Sequence, residues 1–319
     1  MDEINGCHRG MIPLRTSGST GRPRTIWADP RRMRASARLT CDFLDLREGD
    51  TALLCLSTDY IAGKMMEVRA EVRHLQLIRV EPDGHPLRTV TTPVDFAAMV
   101  PLQVYNTLQS AEETARLRQI RHLIIGGGAV HPDLESALHD FPHAVWSTYG
   151  MTETLSHIAL RRINGTERSD WYTAMDGVSV SLDGGNCLVI DAPAVCEQRL
   201  TTNDIACINP DNPRQFRIIG RKDNVVCSGG IKIQIEEVER LLSTHLSCPF
   251  LLTRQDDVKF GEILILVAQC TDADLPGIRA VCERVLPAFQ RPKRYSALSA
   301  LPQTHSGKPD RRRAAEIIG

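Results

Sequence analysis

The stretch Leu14 to Arg24, L-R-T-S-G-S-T-G-R-P-R, decides how the rest of the chain is read. Met11 to Leu14 before it and Thr25 to Trp27 after it read as short strands, so the stretch is a loop joining two strands. From Thr16 to Gly21 every residue is small and polar or glycine. Gly18 and Gly21 allow successive backbone N–H groups to point outward, and Ser17, Ser19 and Thr20 add hydroxyl donors. A concave nest of donors suits phosphate oxygens. The G-x-x-x-x-G-K-[ST] spacing of strand–loop–helix phosphate loops is absent, and Pro23 stands where their helix would begin. A plain hairpin loop would use the same residue types, so the phosphate reading needs support from elsewhere in the chain.

The chain has 319 residues, long enough for two domains with real cores. Its 42% apolar and 24% charged content is that of an ordinary globular protein. A formal charge of −1 removes any bulk electrostatic case for nucleic acid or an anionic membrane. No apolar run reaches the length of a membrane span, and M-D-E-I-N-G lacks a basic-then-apolar leader. Ten cysteines are scattered singly with no C-x-x-C pair, which leads to the expectation of free thiols in a reducing cytoplasm. Only six of the 38 basic residues are lysine, so each lysine merits attention.

Strand and helix alternate through the first half. Pro30 to Leu46 reads as a helix with Met33, Ala37, Cys41 and Leu44 on one side. Strands are expected at Thr51 to Leu56, Leu75 to Val80, His122 to Ile125 and Ala144 to Thr148, and helices at Lys64 to Val72, around Val94 to Val100, at Ala111 to Leu117 and at Pro132 to His139. This alternation predicts an α/β layered domain. From Leu155 to Ile219, short strands broken by Asn164-Gly165, Asp183-Gly184-Gly185 and Asn209-Pro210-Asp211 predict a smaller β-rich subdomain. Beyond Gly220, strands near Ile231, Phe250 and Ile263 and helices at Glu236 to Thr244, Asp274 to Val285 and from Asp310 predict a compact α+β unit. The boundary falls within Arg221 to Asn224, giving domains of residues 1–221 and 222–319.

Five segments carry a resemblance. T-S-G-S-T-G-R-P-R from Thr16, Gly126-Gly127-Gly128-Ala129, S-T-Y-G-M-T-E-T from Ser147, G-R-K-D-N-V-V-C-S-G-G from Gly220 and P-Q-T-H-S-G-K from Pro302 resemble, in order and spacing, the motifs of the adenylate-forming superfamily. That superfamily includes acyl-CoA synthetases, peptide-synthetase adenylation domains and luciferases. The resemblance implies a layered N-terminal adenylation domain and a small mobile C-terminal lid. It also implies that a carboxylate is joined to the α-phosphate of ATP and the acyl group then passed to a thiol, with ATP, Mg²⁺ and coenzyme A as the small molecules required. Only about ten residues precede the opening loop where relatives carry a long segment, so the N-terminal domain is expected to be shortened. An exposed sheet edge would then be open to cover, and a homodimer is one expectation.

The resemblance also distributes roles. Thr16, Ser17, Gly18, Ser19, Thr20 and Gly21 would hold the β- and γ-phosphates, with Arg24 where the family usually has lysine, a planar fork in place of a point charge. Gly127, Gly128 and Ala129 would run beside adenine and acyl group; read alone, the triplet is also a bare turn. Tyr149 and Gly150 would lie against adenine, Thr152 would bond the α-phosphate and Glu153 would hold Mg²⁺, although a strand-end turn with a half-buried tyrosine has the same sequence. Asp204 and Arg221 would take the ribose hydroxyls, with Asn203 in place of the usual glycine. Lys308 would bridge carboxylate and α-phosphate during adenylation; alone it reads as a surface lysine near Arg311 to Arg313. Asp223 matches the hinge about which the lid turns to bring in Gly229 and Gly230 for the pantetheine arm.

Around the acyl pocket the closest resemblance is to the short o-succinylbenzoate–CoA ligases of menaquinone biosynthesis. It rests on Asp59 to Met66, Met151 to Arg161 and Trp171-Tyr172. Such a substrate is a small dicarboxylate, so one carboxylate reacts and the other needs a cation. Arg69 matches that cation by position, with Lys64 as the alternative; Ser156 and His157 would bond the keto group or carboxylate, unless His157 is simply a histidine on a half-buried strand. Adenylation of another aryl or acyl acid, for coenzyme A or a carrier protein, and a non-catalytic AMP-binding module stay open.

Overall fold

The computed structural model describes residues 10–15, 25–304 and 309–319, so Thr16 to Gly21, Arg24 and Lys308 lie outside the described residues. Contacts divide the chain into two units. One comprises Met1–Ser181, Val189–Leu200 and Ile208–Arg217; the other comprises Leu182–Leu188, Thr201–Cys207 and Ile218–Gly319.

In the first unit, β1 (Ile12–Arg15) and β2 (Thr25–Ala28) pair antiparallel with Arg15 opposite Thr25, so the strands expected on either side of the opening loop are present. Helix α1 (Pro30–Phe43) begins where the Asp29 carboxylate accepts the Arg31 N–H at 2.8 Å and Pro30 occupies the first turn. Its buried face is Met33, Ala37 and Cys41, at four-residue spacing. Strand β3 (Thr51–Leu54), helix α2 (Ile61–Arg73) and strand β4 (Gln76–Arg79) follow, α2 ending on His74 in the left-handed region. Leu14, Ala28, Met33, Ala37, Met65 and Val68 form one core with Leu155. Each larger side chain there contributes on the order of 1.5–3 kcal/mol by burial. The hairpin is thereby fixed to α1 and α2.

Strand β5 (Phe96–Met99) comes next, then α3 (Pro101–Leu108), α4 (Ala111–Leu117), β6 (His122–Ile125), α5 (Pro132–Leu138), β7 (Ala144–Gly150), β8 (His157–Arg162) and β9 (Tyr172–Ala174). The helix expected around Val94 to Val100 is instead β5. All four of its residues are buried, because β5 lies between β3 and β6 in the parallel sheet. A short apolar run buried on both faces has neither helical nor alternating period. The helix begins only after it, with Pro101 in its first turn. Strands β4, β3, β5, β6 and β7 are parallel neighbours, and β8 and β9 extend the sheet antiparallel. Strands β10 (Ser179–Leu182), β11 (Cys187–Asp191), β12 (Leu200–Asn209) and β13 (Asn212–Arg221) are neighbours in that order, as a β-rich region requires. β13 joins β9 through Phe216 opposite Tyr172.

In the second unit, β14 (Val225–Ser228) and β15 (Ile231–Gln234) form a hairpin whose two loop residues, Gly229 and Gly230, both have positive φ (+56° and +82°). A two-residue turn of this kind demands that conformation at both positions, and glycine adopts it without strain. After α6 (Ile235–Ser243), β16 (Phe250–Asp257) and β17 (Gly261–Gln269) pair antiparallel. Helix α7 (Leu275–Val285), strand β18 (Arg294–Leu298) and helix α8 (Arg311–Ile318) complete the unit. β18, absent from the sequence reading, lies parallel to β17. Leu252, Leu264 and Leu266 pack with Val238 and Leu242 of α6 and with Ile278 and Cys282 of α7, whereas Leu251, Ile265 and Val267 pack with Ala314 of α8. The period-two alternation along β16 and β17 thus places helices on both faces. Nine cysteines among the described residues are free. No helix among the described residues is long and apolar enough to cross a membrane.

Candidate active site

Two predicted motifs meet at the C-terminal ends of β6 and β7. Those strands are parallel with Ile125 opposite Ser147, so the glycine triplet leaves β6 beside the point where Tyr149 and Gly150 end β7. Crevices at the carboxyl ends of parallel strands are where open α/β sheets bind ligands. Gly127 and Ala129 are exposed there, with Gly128 half-buried. Tyr149 belongs to an aromatic trio, its ring 5.2 Å from Phe216 and 5.8 Å from Tyr172, with Tyr172 and Phe216 stacked at 5.7 Å. The Tyr172 hydroxyl lies 2.8 Å from Ser147 Oγ. Thr152 is half-buried in the single 3-10 turn Thr152–Thr154, and Glu153 beside it is exposed. Thr154 pins that turn by donating to the Ser156 carbonyl at 2.6 Å, and the Cys196 thiol donates to the Glu153 carbonyl at 3.1 Å.

At Gly150 the β7–β8 pairing slips, and the two backbones come unusually close. A Cβ there would stand 2.5 Å from both the Ser156 carbonyl oxygen and His157 Cα, so only glycine fits.

Of the residues predicted to face the acid, Ser156 and His157 gather around Arg69. This side chain is only 2% exposed, yet no carboxylate among the described residues pairs with it. Its Nη2 donates to Ser156 Oγ at 2.5 Å, its Nη1 lies 3.6 Å from the Met66 sulfur, and its Nε has no partner among the described residues. Burial pulls its pKa down to about 10, so the guanidinium stays charged at neutral pH. Lys64, the alternative cation, is bound to Glu67 at 2.9 Å, and Glu67 also takes Arg79 at 2.8 Å. Lys64 instead lines a cleft of about 490 Å³ at the base of the hairpin, with Leu14, Thr25, Thr58 and Asp59. His157 is 7% exposed, more deeply placed than a half-buried strand residue, and touches Ser156 and Thr40. Thr40 was not among the sequence candidates. It lies 117 positions from His157, and nothing local marks it.

Burial, and then the Arg69 charge, hold the His157 pKa well below its ordinary value, and burial lowers His122 to about 4. Both are therefore neutral in the folded chain, while in the unfolded chain each takes up a proton below about pH 6.5. Stability is full above that pH and declines below it, the His122 share between about pH 6.5 and 4. His157 alone contributes a slope of about 1.4 kcal/mol per pH unit. Urea midpoints measured at pH 7.5 and pH 5 are expected to fall with pH, and less steeply in His157→Gln; equal slopes in the two proteins would contradict this.

In the second unit, Arg221 Nη1 lies 3.2 Å from Asp204 Oδ1 and its Nη2 lies 3.0 Å from Asp223 Oδ2. Both residues of the predicted ribose pair thus sit beside the predicted hinge residue. Asn203, which departs from the usual glycine, donates to Asp223 Oδ2 at 3.4 Å. Gly229 and Gly230 form the β14–β15 turn, the Gly229 N–H donating to the Phe260 carbonyl at 2.8 Å. On either side of the Lys308 segment, Gln303 bridges Pro309, the Asp310 N–H donates to the Pro302 carbonyl at 2.9 Å, and Asp310 caps α8.

The sequence profile of the AMP-binding enzyme family matches residues 14–193, more than half of the chain. The chain belongs to that family. The crystal structure of an acyl-CoA synthetase (AMP-forming)/AMP-acid ligase II-like protein from Dyadobacter fermentans is 32% identical to this AMP-binding enzyme, with a TM-score of 0.65 over 97% of this chain and 90% of that one. A 2-succinylbenzoate–CoA ligase from Bacillus thuringiensis is 23% identical over 97% of this chain and 70% of its own length. The o-succinylbenzoate CoA synthetase MenE from Bacillus subtilis, solved with the acyl-adenylate intermediate OSB-AMP, shares the fold at a TM-score of 0.76 and 19% identity, over 95% of this chain and 68% of that one. The α/β class and the adenylate-forming resemblance read from the five motifs accord with these matches.

Proposed function

We propose that this AMP-binding enzyme is an AMP-forming acid–CoA ligase whose acid carries a second carboxylate, with o-succinylbenzoate as the favoured substrate. The observation that carries the reading is Arg69, a buried guanidinium with no anionic partner among the described residues. Burying a charge without a counter-ion is costly, and a ligand carboxylate would supply the missing partner. An enzyme for fatty acids gains nothing from that cost.

The exposed Glu153 carboxylate at the end of β7 fits a magnesium ion that is otherwise held by phosphate oxygens and water, the usual arrangement for that ion. Bound there, the ion would neutralise charge on the phosphates. Thr16 to Gly21 would supply phosphate donors, Thr152 the α-phosphate contact, and Asp204 with Arg221 the ribose contacts. Gly127 to Ala129 and Tyr149 would flank the adenine, and Lys308 would draw carboxylate and α-phosphate together. Gly229 and Gly230 would admit the pantetheine arm in the second step, with Asp223 at the hinge. Menaquinone biosynthesis and a cytoplasmic setting follow from this substrate and are part of the same proposal.

ATP–pyrophosphate exchange over a panel of acids tests the reading. Exchange is expected with o-succinylbenzoate and not with aliphatic monocarboxylates. Equal exchange with both would remove the need for Arg69, and no exchange with any acid would favour a binding module.

A further inference from the structure

One donor and acceptor order satisfies every contact around His157 and leaves the Ser156 oxygen to the guanidinium. In that order Thr40 Oγ1 donates to the Ser36 carbonyl 3.3 Å away, which can only accept. The same oxygen lies 3.1 Å from His157 Nε2, and having given its proton away it accepts from Nε2–H. A neutral imidazole carries one proton, so Nδ1 is a bare acceptor, and Ser156 Oγ, 3.2 Å away, donates to it. The Ser156 oxygen then accepts from Arg69 Nη2 at 2.5 Å. Donation therefore runs one way, from Arg69 through Ser156, His157 and Thr40 to the backbone of α1. Ser36, Thr40, Arg69 and His157 are all buried and Ser156 is half-buried, which limits competition from water.

We propose that His157 is a positioning residue: as the Nε2–H tautomer it holds the Ser156 hydroxyl, which holds Arg69 Nη2 and so orients the guanidinium toward the second carboxylate of the substrate. This rests on the carboxylate reading of Arg69. It departs from the sequence expectation for His157, since both ring nitrogens are already engaged within the chain and neither is left for the keto group. A buried guanidinium on a flexible stem gains most from being held before the ligand arrives. The unpartnered Nε and the second hydrogens of Nη1 and Nη2 then remain as donors for the ligand.

Kinetics on the full chain test this with His157→Ala, His157→Asn, Thr40→Val and Arg69→Met. His157→Ala is expected to raise KM for o-succinylbenzoate about tenfold while KM for ATP stays within about twofold. His157→Asn keeps an acceptor near the Nδ1 position and is expected to restore most of the loss; Thr40→Val, which frees the far end of the chain, gives a smaller rise. On the wild-type protein, ¹⁵N NMR is expected to show a neutral Nε2-protonated imidazole between pH 6 and 8, a readout independent of how any variant folds. A charged ring or the Nδ1–H tautomer would overturn the proposal. So would an unchanged acid KM in His157→Ala when Arg69→Met raises it. If Arg69→Met also leaves that KM unchanged, it is the carboxylate reading that has failed.

Discussion

Arg69→Met is expected to give a protein at least as stable as the parent and a far poorer ligase. Burial lowers the Arg69 pKa from its ordinary value to about 10, which puts the cost of keeping the charge at neutral pH at roughly 3 kcal/mol. A methionine of similar length removes that cost and keeps contacts with its apolar neighbours, as replacements of buried ions by apolar residues often do. What it forfeits is a charge-assisted pair with the substrate. Loss of one partner of a buried charged hydrogen bond costs about 2–5 kcal/mol, so KM for the acid should rise by about 30-fold or more. Thermal unfolding and steady-state kinetics on the same preparation separate the two effects. A lower melting temperature with an unchanged acid KM would make the guanidinium structural.

The second large effect is expected at Lys308, and it should fall on one half-reaction only. Lys308→Ala should slow adenylate formation about 10²–10³-fold, the loss ordinary for removal of a donor positioned at developing charge. Thioester formation from a supplied acyl-adenylate should continue, because the proposed reading gives that amine no part in the second step. The described residues bounding the segment are firmly tied, by the Gln303–Pro309 bridge and by Asp310 at the start of α8. The substitution should therefore leave the folded unit intact. Equal loss in both half-reactions would refute a division of labour between two arrangements of the enzyme.

Legibility in the sequence followed how local each cause is. Helix α4 and strand β6 match their expected limits to the residue, and Ser110, which accepts the Glu113 N–H at 3.4 Å, is a local start signal for α4. β5 was misread because its pattern is a product of the sheet around it, and β18 because its five residues are all half-buried and give no alternation. In the candidate site, motif resemblance pointed to Arg69, Asp204 and Arg221, but not to what surrounds them. The Lys64 pair with Glu67 is local to α2, whereas the burial of Arg69 away from any carboxylate among the described residues is set by its tertiary surroundings. Thr40, and the bond from Asn203 to Asp223, are contacts between distant positions that no local rule encodes.

The crossing at Gly150 has a consequence for how such an enzyme could change its diet. Because that residue abuts the backbone of Ser156 and His157, the strand bearing Tyr149 and the Ser156 segment that opens β8 are mechanically one part. A mutation that shifts the backbone at the crossing, unlike a change of the His157 side chain alone, is expected to disturb the proposed nucleotide and acid sites together. On the proposed reading, drift toward a new acid is then easier through α1 and α2, where Thr40 and Arg69 can be exchanged while the proposed adenine site is left alone.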